Sequence, residues 1–537
     1  LSESLEMLSE FYFRRHPEYD QKLDHWRFCR ATYKGGREWF AGNIFKYYKE
    51  GTREYRKRIE RAYRFNHTKE VVELVQKYLF KAPVQRSPDA HDLIKKFWAK
   101  ATLAGGDIDT LVRAGSTSNS LTGICAVVVD NNAPLDDKAA ISIKDAEDIS
   151  IYAYIVDAED VLDWAYDEDG DGQLLWVKIR EFVRDDADYL NSTGDLVERV
   201  RVWTRKEWIL YEPRSTKALP GVGRTANQKR TGISVIETKR GTHDLGFVPV
   251  ELFRHTPTEE PYACSSLIDE ISYLDRTVAN YLSNLDAIIQ DQTFSQLAIP
   301  AQSVSSADDD NKKVLEMSTK RVFTYDGGAG SHSKPEFISP DPKQAGVILD
   351  VINKIISEIY HTIGLAGERT KEDNSVGIDN SSGVAKAYDF ERVNALLRSK
   401  ALMCEKLENW LVKCVLAYAG EETAVDEKLV TYPSTFDVMR LADELTTAEA
   451  LQKISAPDEV RQLQMKNLTK KLFPQIDKKA EQKIGKSIDD WKPSEVAKTA
   501  APFGNDPAAK GKQPSDKDKS VAQPKRQGQV TKDTPSK

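Results

Sequence analysis

The strongest periodicity in the chain lies in SSLIDEISYLDRTVANYLSNLDAIIQ, residues 265–290. Leu267, Ile271, Leu274, Val278, Tyr281, Leu285 and Ile288 follow at alternating spacings of four and three, which sets them on one stripe of a helix roughly 37 Å long. A second helix is predicted over QAGVILDVINKIISEIYHTIG, residues 344–364, where Val347, Val351, Ile355, Ile359 and Ile363 recur every four positions. Between the two, QLAIPA, KRVFTYDG and PEFIS read as short strands around a polar tip that holds Asp308, Asp309, Asp310, Lys312 and Lys313. The order is helix, small β-containing insert, helix, which brings the helix ends together and pushes the insert outward as a knob.

The flanking regions have other patterns. Residues 1 to 110 interleave aromatic, aliphatic and charged side chains, as in REWFAGNIFKYYKEGTREYRKRIERAYRFN, and predict an N-terminal helical layer. From 123 to 255 strand signals dominate: GICAVVVD, ISIYAYIV, LWVKIREFV, ERVRVWTRKEWILYE, GISVIETK and VPVELFRH, separated by Asp, Asn, Gly and Pro. GSTSNSLTG, residues 115–123, reads as a loop, and RSTKALPGVGRTANQKRTG as an exposed hairpin tip carrying five basic residues. Residues 364–380 combine three glycines with alternating charges, the composition of a mobile loop. Ser381 or Ser382 is placed to cap the helix that follows, outlined by Val384, Tyr388, Val393, Leu397, Met403, Leu407, Trp410 and Val415. Residues 436–491 form a last charged helical section, and the Pro-, Lys-, Ser- and Gln-rich residues 492–537 are expected to be disordered. The fold class is α+β and predominantly helical, in more than one module for 537 residues.

Charge and chemistry narrow the function. With 77 Lys and Arg against 84 Asp and Glu, the net charge of −7 does not mark a nucleic-acid binder, so any contact with DNA is local. The five cysteines, Cys29, Cys125, Cys264, Cys404 and Cys414, suit neither a disulfide framework nor a zinc motif and are expected to be reduced and buried, in a soluble intracellular chain. No apolar run approaches the length of a membrane span, and the start lacks the pattern of a secretory signal. In DWAYDEDGDGQLLWVKIRE, Asp167, Asp169 and Asp171 alternate before Gly172, as in a calcium loop. Counting twelve from Asp167, however, reaches Lys178 where the ion needs a bidentate Glu, and the following residues have a strand's period of two, so a hairpin turn is the expectation. AEQKIGKS, with Lys486, fits a loose phosphate-loop pattern but follows a polar helical stretch instead of a buried strand. The eight histidines have no HExxH or other metal-ligand spacing, and no GxSxG elbow is present, so neither a cofactor nor an enzymatic activity is expected. A calcium- or nucleotide-binding enzyme built on Asp167–Asp171 or Lys486 is the alternative.

Three stretches now carry a resemblance: LDRTVANYLSNLDAIIQDQTFSQLAIP, KPEFISPDP before the second long helix, and NSSGVAKAYDFERVN opening the third. Together with the strand region and HPEYDQKLDHWRFCRATYKGGREWF, the chain resembles the portal proteins of tailed bacteriophages over residues 15 to 435. The resemblance implies a wing over 1–264 with a long wing helix in 383–435, stem helices at 265–292 and 343–365, a clip at 293–342, a tunnel loop at 366–382 and a crown at 436–491. It also implies a homo-oligomeric ring of about twelve copies at one capsid vertex, with double-stranded DNA in its channel. The partners implied are the terminase large subunit, a head-completion or adaptor protein, and the major capsid and scaffolding proteins, with no membrane. The localisation it implies is the virion, with the host cytoplasm during assembly.

A channel that gripped DNA with a dense basic lining would hold it too tightly to let it pass. The tunnel-loop candidates Glu368, Arg369, Lys371, Glu372 and Asp373 are mixed in sign, which suits weak sliding contacts. Lys343 and Lys354 are stem candidates for phosphate contact, and Asp308, Asp309, Asp310, Lys312 and Lys313 are clip candidates for partner binding.

Overall fold

The computed structural model describes residues 2–132, 150–167, 169–170, 172–186, 188–214, 234–258, 264–293, 296–300, 323–325, 336–338, 342–364, 383–420, 428–434, 436, 457–472 and 478–490. It divides into two compact units, Leu1–Asp437 and Val438–Lys537. In the first, seven helices precede the first long strand: α1 (Ser2–Phe13), α2 (Pro17–Lys34), α3 (Arg37–Asn43), α4 (Thr52–Arg61), α5 (His67–Leu79), α6 (Asp92–Ala99) and α7 (Ile108–Thr122), with the short β1 (Gln85–Arg86) between α5 and α6. Local chemistry sets several of their ends. α2 opens on Pro17 and stops at Gly35 (φ 65°). Asn66 accepts a hydrogen bond from the Lys69 amide at the start of α5, and Asp107 does the same for Thr110 in α7.

The next segment, β2 (Ile124–Asn131), explains why ICAVVV is apolar on both sides. It lies in the middle of an antiparallel three-stranded sheet between β3 (Ile151–Asp157) and β9 (Val250–Arg254). Cys125, Val127 and Val129 face one core, and Ile124, Ala126 and Val128 face the other. A strand between two cores needs no alternation of apolar and polar residues. The second core packs against an antiparallel meander of β4 (Val161–Tyr166), β5 (Leu174–Arg184), β6 (Leu196–Thr204), β7 (Glu207–Arg214) and β8 (Ser234–Thr242).

Lys178 in β5 has a buried ammonium. It donates to the carbonyls of Phe11 and Arg14 at the end of α1 at 2.8 and 2.5 Å, tying that helix to the sheet. Burial pushes its pKa down to about 7.

The two predicted long helices are α8 (Ile271–Thr293) and α9 (Pro342–Thr362), and they pack against each other. α8 begins later than the sequence pattern suggests. Ser266 donates through both its amide and its hydroxyl to the Asp269 carboxylate, which holds the preceding residues in a turn. The insert contains β10 (Gln296–Pro300), paired parallel to β11 (Phe323–Tyr325) and antiparallel to β12 (Glu336–Ile338). α10 (Gly383–Tyr418) is the third long helix, and β13 (Val430–Thr431) after it pairs with β1. The second unit holds α11 (Asp458–Leu472) and α12 (Lys478–Asp489), joined by the Lys466–Asp489 ion pair at 2.6 Å. The result is a mixed helix and sheet chain.

One expectation is overturned. GSTSNSLTG is not a loop: Gly115–Thr122 complete α7, and only Gly123 (φ 84°) leaves the helix. Its small hydroxyl residues look like a turn, but they are there to receive a lysine. The Lys400 ammonium from α10, fully enclosed, donates to Ser120 Oγ at 2.9 Å, Asn119 Oδ1 at 3.2 Å and the Ser116 carbonyl at 3.5 Å. His255 Nδ1 lies 2.8 Å away. Burial holds the Lys400 pKa down to about 8, and burial followed by the Lys400 charge drives that of His255 well below its usual range.

Because the folded-state pKa of Lys400 is depressed, the unfolded chain binds more protons between pH 8 and 10.5. Urea midpoints of the wild type and Lys400→Met are therefore expected to diverge in the wild type's favour as pH rises across that window. A constant difference would show that Lys400 is not proton-depleted in the fold.

Candidate functional site

α8 is buried along two stripes. The apolar stripe is the one the sequence predicts: Ile271, Val278 and Leu285 are buried, and Leu274, Tyr281 and Ile288 are half-buried. The second runs through Ser272, Asp275, Ala279, Ser283 and Asp286 at spacings of three and four, and packs against the N-terminal helical layer. Ala279 sits in a small core with Trp39, Phe40, Ile44 and Ala62.

Asp275, Ser283 and Asp286 of the second stripe are met by arginines. Arg64 Nη1 donates to Asp275 Oδ2 at 3.0 Å, and Thr68 donates to the same oxygen through its hydroxyl at 2.8 Å. The Arg64 guanidinium lies 3.9 Å from the Trp39 ring centroid and also donates to the Thr32 carbonyl. Burial lowers its pKa from the ordinary value, and Asp275 opposes the shift. Arg58 bonds Ser283 Oγ at 3.0 Å while pairing with Glu50 at 2.8 Å, and Arg61 pairs with Asp286 at 3.2 Å. Asn280 accepts from the Phe45 amide and donates to the Asn43 carbonyl, both at 2.9 Å. At the other end of the row Asp269 pairs with His25 at 2.9 Å.

α9 presents a different surface. Ile352, Ile359 and Tyr360 are buried, and Tyr360 donates to Glu70 and lies 3.2 Å from His67 Nδ1. On the opposite side Lys343, Val347, Asp350, Val351, Lys354 and Glu358 are all exposed and fall on one face. Val347 is 62% exposed, Leu349 45%, and Ile289 on α8 48%. This end of the helix pair therefore carries apolar side chains among charges of alternating sign. Lys354 pairs with Glu358 one turn on, at 3.1 Å.

A family model for phage portal proteins of the SPP1 Gp6-like type matches residues 17–486. The chain belongs to this portal protein family. No curated protein matches it. It is similar, at 10% identity, to a chain in the virion of a native gene transfer agent particle, with a TM-score of 0.36 over 74% of this chain and 89% of that one. It is similar at the same identity to a chain in the neck of an empty gene transfer agent particle, with a TM-score of 0.34 over 73% of this chain and 86% of that one.

Of the portal chain's expected site residues, Lys343 and Lys354 lie together on the exposed face of α9. Glu368, Arg369, Lys371, Glu372 and Asp373, and likewise Asp308, Asp309, Asp310, Lys312 and Lys313, lie outside the described residues. Asp167 and Asp169 occupy the turn between β4 and β5, while Asp171 lies outside the described residues. Asp167 Oδ2 is 3.4 Å from Arg205 Nη1, and its amide donates to the Gln173 carbonyl, closing a hairpin between strands. Ala480–Ser487 lie inside α12, so their amides serve a helix and form no phosphate cradle. The buried polar stripe on α8 was missed because Ser, Asp and Ala at helical spacing read as a solvent face. The density of arginines in residues 53–64 is the sequence signal that matches it.

Arg64→Met is expected to destabilise the chain by about 3–5 kcal/mol, because it leaves the Asp275 carboxylate buried and unpaired. Arg64→Met combined with Asp275→Leu should recover much of that loss. Denaturant melts of the single and double variants measure both, and equal loss in each would refute the pairing.

Proposed function

We propose that this portal protein is the subunit of a closed ring of about twelve copies whose central channel carries double-stranded DNA during packaging and ejection. The observation that carries the proposal is the family match, which extends through the helix pair, the insert between its members and α10. In this reading 1–264 and 383–435 form the wing, α8 and α9 the stem, 293–342 the clip, 366–382 the tunnel loop and 436–491 the crown. The terminase large subunit and then a head-completion or adaptor protein dock on the clip. Capsid and scaffolding proteins surround the wing, at a vertex of the virion. The family is structural, and the chemical work of packaging belongs to the terminase.

Two features support the reading physically. Val347, Leu349, Val351 and Ile289 leave apolar area on a slender helix pair that has no further layer of its own to cover it among the described residues. A neighbouring copy in a closed ring covers such a surface in every subunit alike. Lys343 and Lys354 alternate with Asp350 and Glu358, so the same face offers phosphate weak contacts in place of a continuous basic track. Repeated around a ring, weak contacts guide DNA without arresting it. The calcium and nucleotide alternative gains nothing from the geometry of Asp167 or Lys486.

Native mass spectrometry with negative-stain class averages of the purified chain tests the ring. A closed assembly of about twelve copies with a central hole is expected. A stable monomer or dimer at micromolar concentration would overturn it. Val351→Asp should shift the assembly toward monomers with unchanged helix content by circular dichroism. Lys343→Glu with Lys354→Glu should leave the ring intact and reduce the DNA packaged per head.

A further inference from the structure

His25 and Cys29 lie four residues apart on α2 and therefore share one face of that helix. Asp269, in the turn before α8, meets them. His25 Nε2 is 2.9 Å from Asp269 Oδ1 and 3.6 Å from Cys29 Sγ, and one donor atom from each of the three side chains lies within 4.8 Å of the others. The Asp269 carboxylate and the Cys29 thiol thus converge on a single ring nitrogen.

We propose that His25, Cys29 and Asp269 form a zinc site that staples the N-terminal helical layer to the root of α8. Tetrahedral zinc holds imidazole nitrogen, thiolate and carboxylate oxygen at about 2.0–2.3 Å, which places neighbouring ligand atoms about 3.5 Å apart. The nitrogen-to-sulfur separation already has that value, and the nitrogen-to-oxygen pair needs to open by about half an ångström. One nitrogen, one sulfur and one oxygen suit zinc better than calcium or magnesium, which take oxygen alone.

The surroundings fit as well. With Nε2 on the metal, Nδ1 carries the ring proton, and Tyr273 Oη lies 3.1 Å from Nδ1 to accept it. Asp269 is oriented by the Ser266 amide at 2.9 Å and the Ser266 hydroxyl at 2.6 Å. Cys29 is fully buried while the His25 and Asp269 side chains are 25% and 32% exposed. The metal therefore has an entry path, and water takes the fourth position. Binding exchanges the Nε2 proton and the thiol proton for the ion, and the site changes from a hydrogen-bonded pair into a three-armed link.

Cobalt(II) titration of the full chain, stripped with a chelator under reducing conditions, is the direct test. One equivalent should produce a thiolate-to-cobalt charge-transfer band and intense visible bands of a tetrahedral ion, both abolished by an equivalent of zinc. Cys29→Ser should lose the charge-transfer band, and His25→Gln, at a half-exposed position that spares the core, should lose one-to-one binding. Tyr273→Phe should weaken zinc binding about ten-fold and leave the stoichiometry intact. Absence of the charge-transfer band in the folded wild type would overturn the proposal. So would an identical spectrum in folded Cys29→Ser or His25→Gln.

Discussion

The Asp275 carboxylate is the constraint around which the root of the α8–α9 helix pair is built. It is wholly enclosed on α8, where an unpaired charge would cost several kcal/mol. Arg64 and Thr68 answer it, and each comes from the N-terminal layer. Arg64 in turn must lie against Trp39 and reach the Thr32 carbonyl, so α2, α3 and the residues leading into α5 are positioned by one ion pair. The neighbouring links, Arg58 to Ser283 and Arg61 to Asp286, repeat the arrangement along the same stripe. Hydrophobic burial alone leaves a helix free to slide or rotate by one ridge, whereas a row of buried donors and acceptors fits in one register.

That registry matters for a chain in the portal family. The helix pair is rooted at one end, where Ile271, Val278, Ile359 and Ile363 belong to the main core. Its other end carries exposed Val347 and Ile289. A lever of this kind transmits the orientation of its root, so the polar grip decides which face is turned away from the body. The proposed zinc site lies at the same root and would add a metal-dependent link to a joint otherwise made of hydrogen bonds. The Lys400 cluster plays a comparable part for α10, where a fully enclosed ammonium selects the one approach to α7 that satisfies Ser120 and Asn119.

The sequence by itself determined much of the element order. The four-three spacing of Leu267 to Ile288 dictated α8, because a helix that buries one stripe has no other way to arrange those residues. The branched residues of GICAVVVD marked a strand, and the hairpin at Asp167 followed from Lys178 and the period of two after it. Family membership was legible for a related reason, since the segment order and its diffuse patterns survive in the chain even though no catalytic signature marks it.

Only the tertiary structure decided what the polar residues do. Asp275 and Ser283 have the composition of a solvated face and became a buried one because arginines from residues 58–64 arrive there. Ser116, Asn119 and Ser120 read as a loop and are a helix, because their partner Lys400 lies 280 residues or more away. His25 and Cys29 meet Asp269 from 240 or more residues away, which no local spacing encodes. Apolar periodicity reports on local geometry, while a polar side chain's role depends on which partner the fold brings to it, and that partner is invisible until the chain has closed.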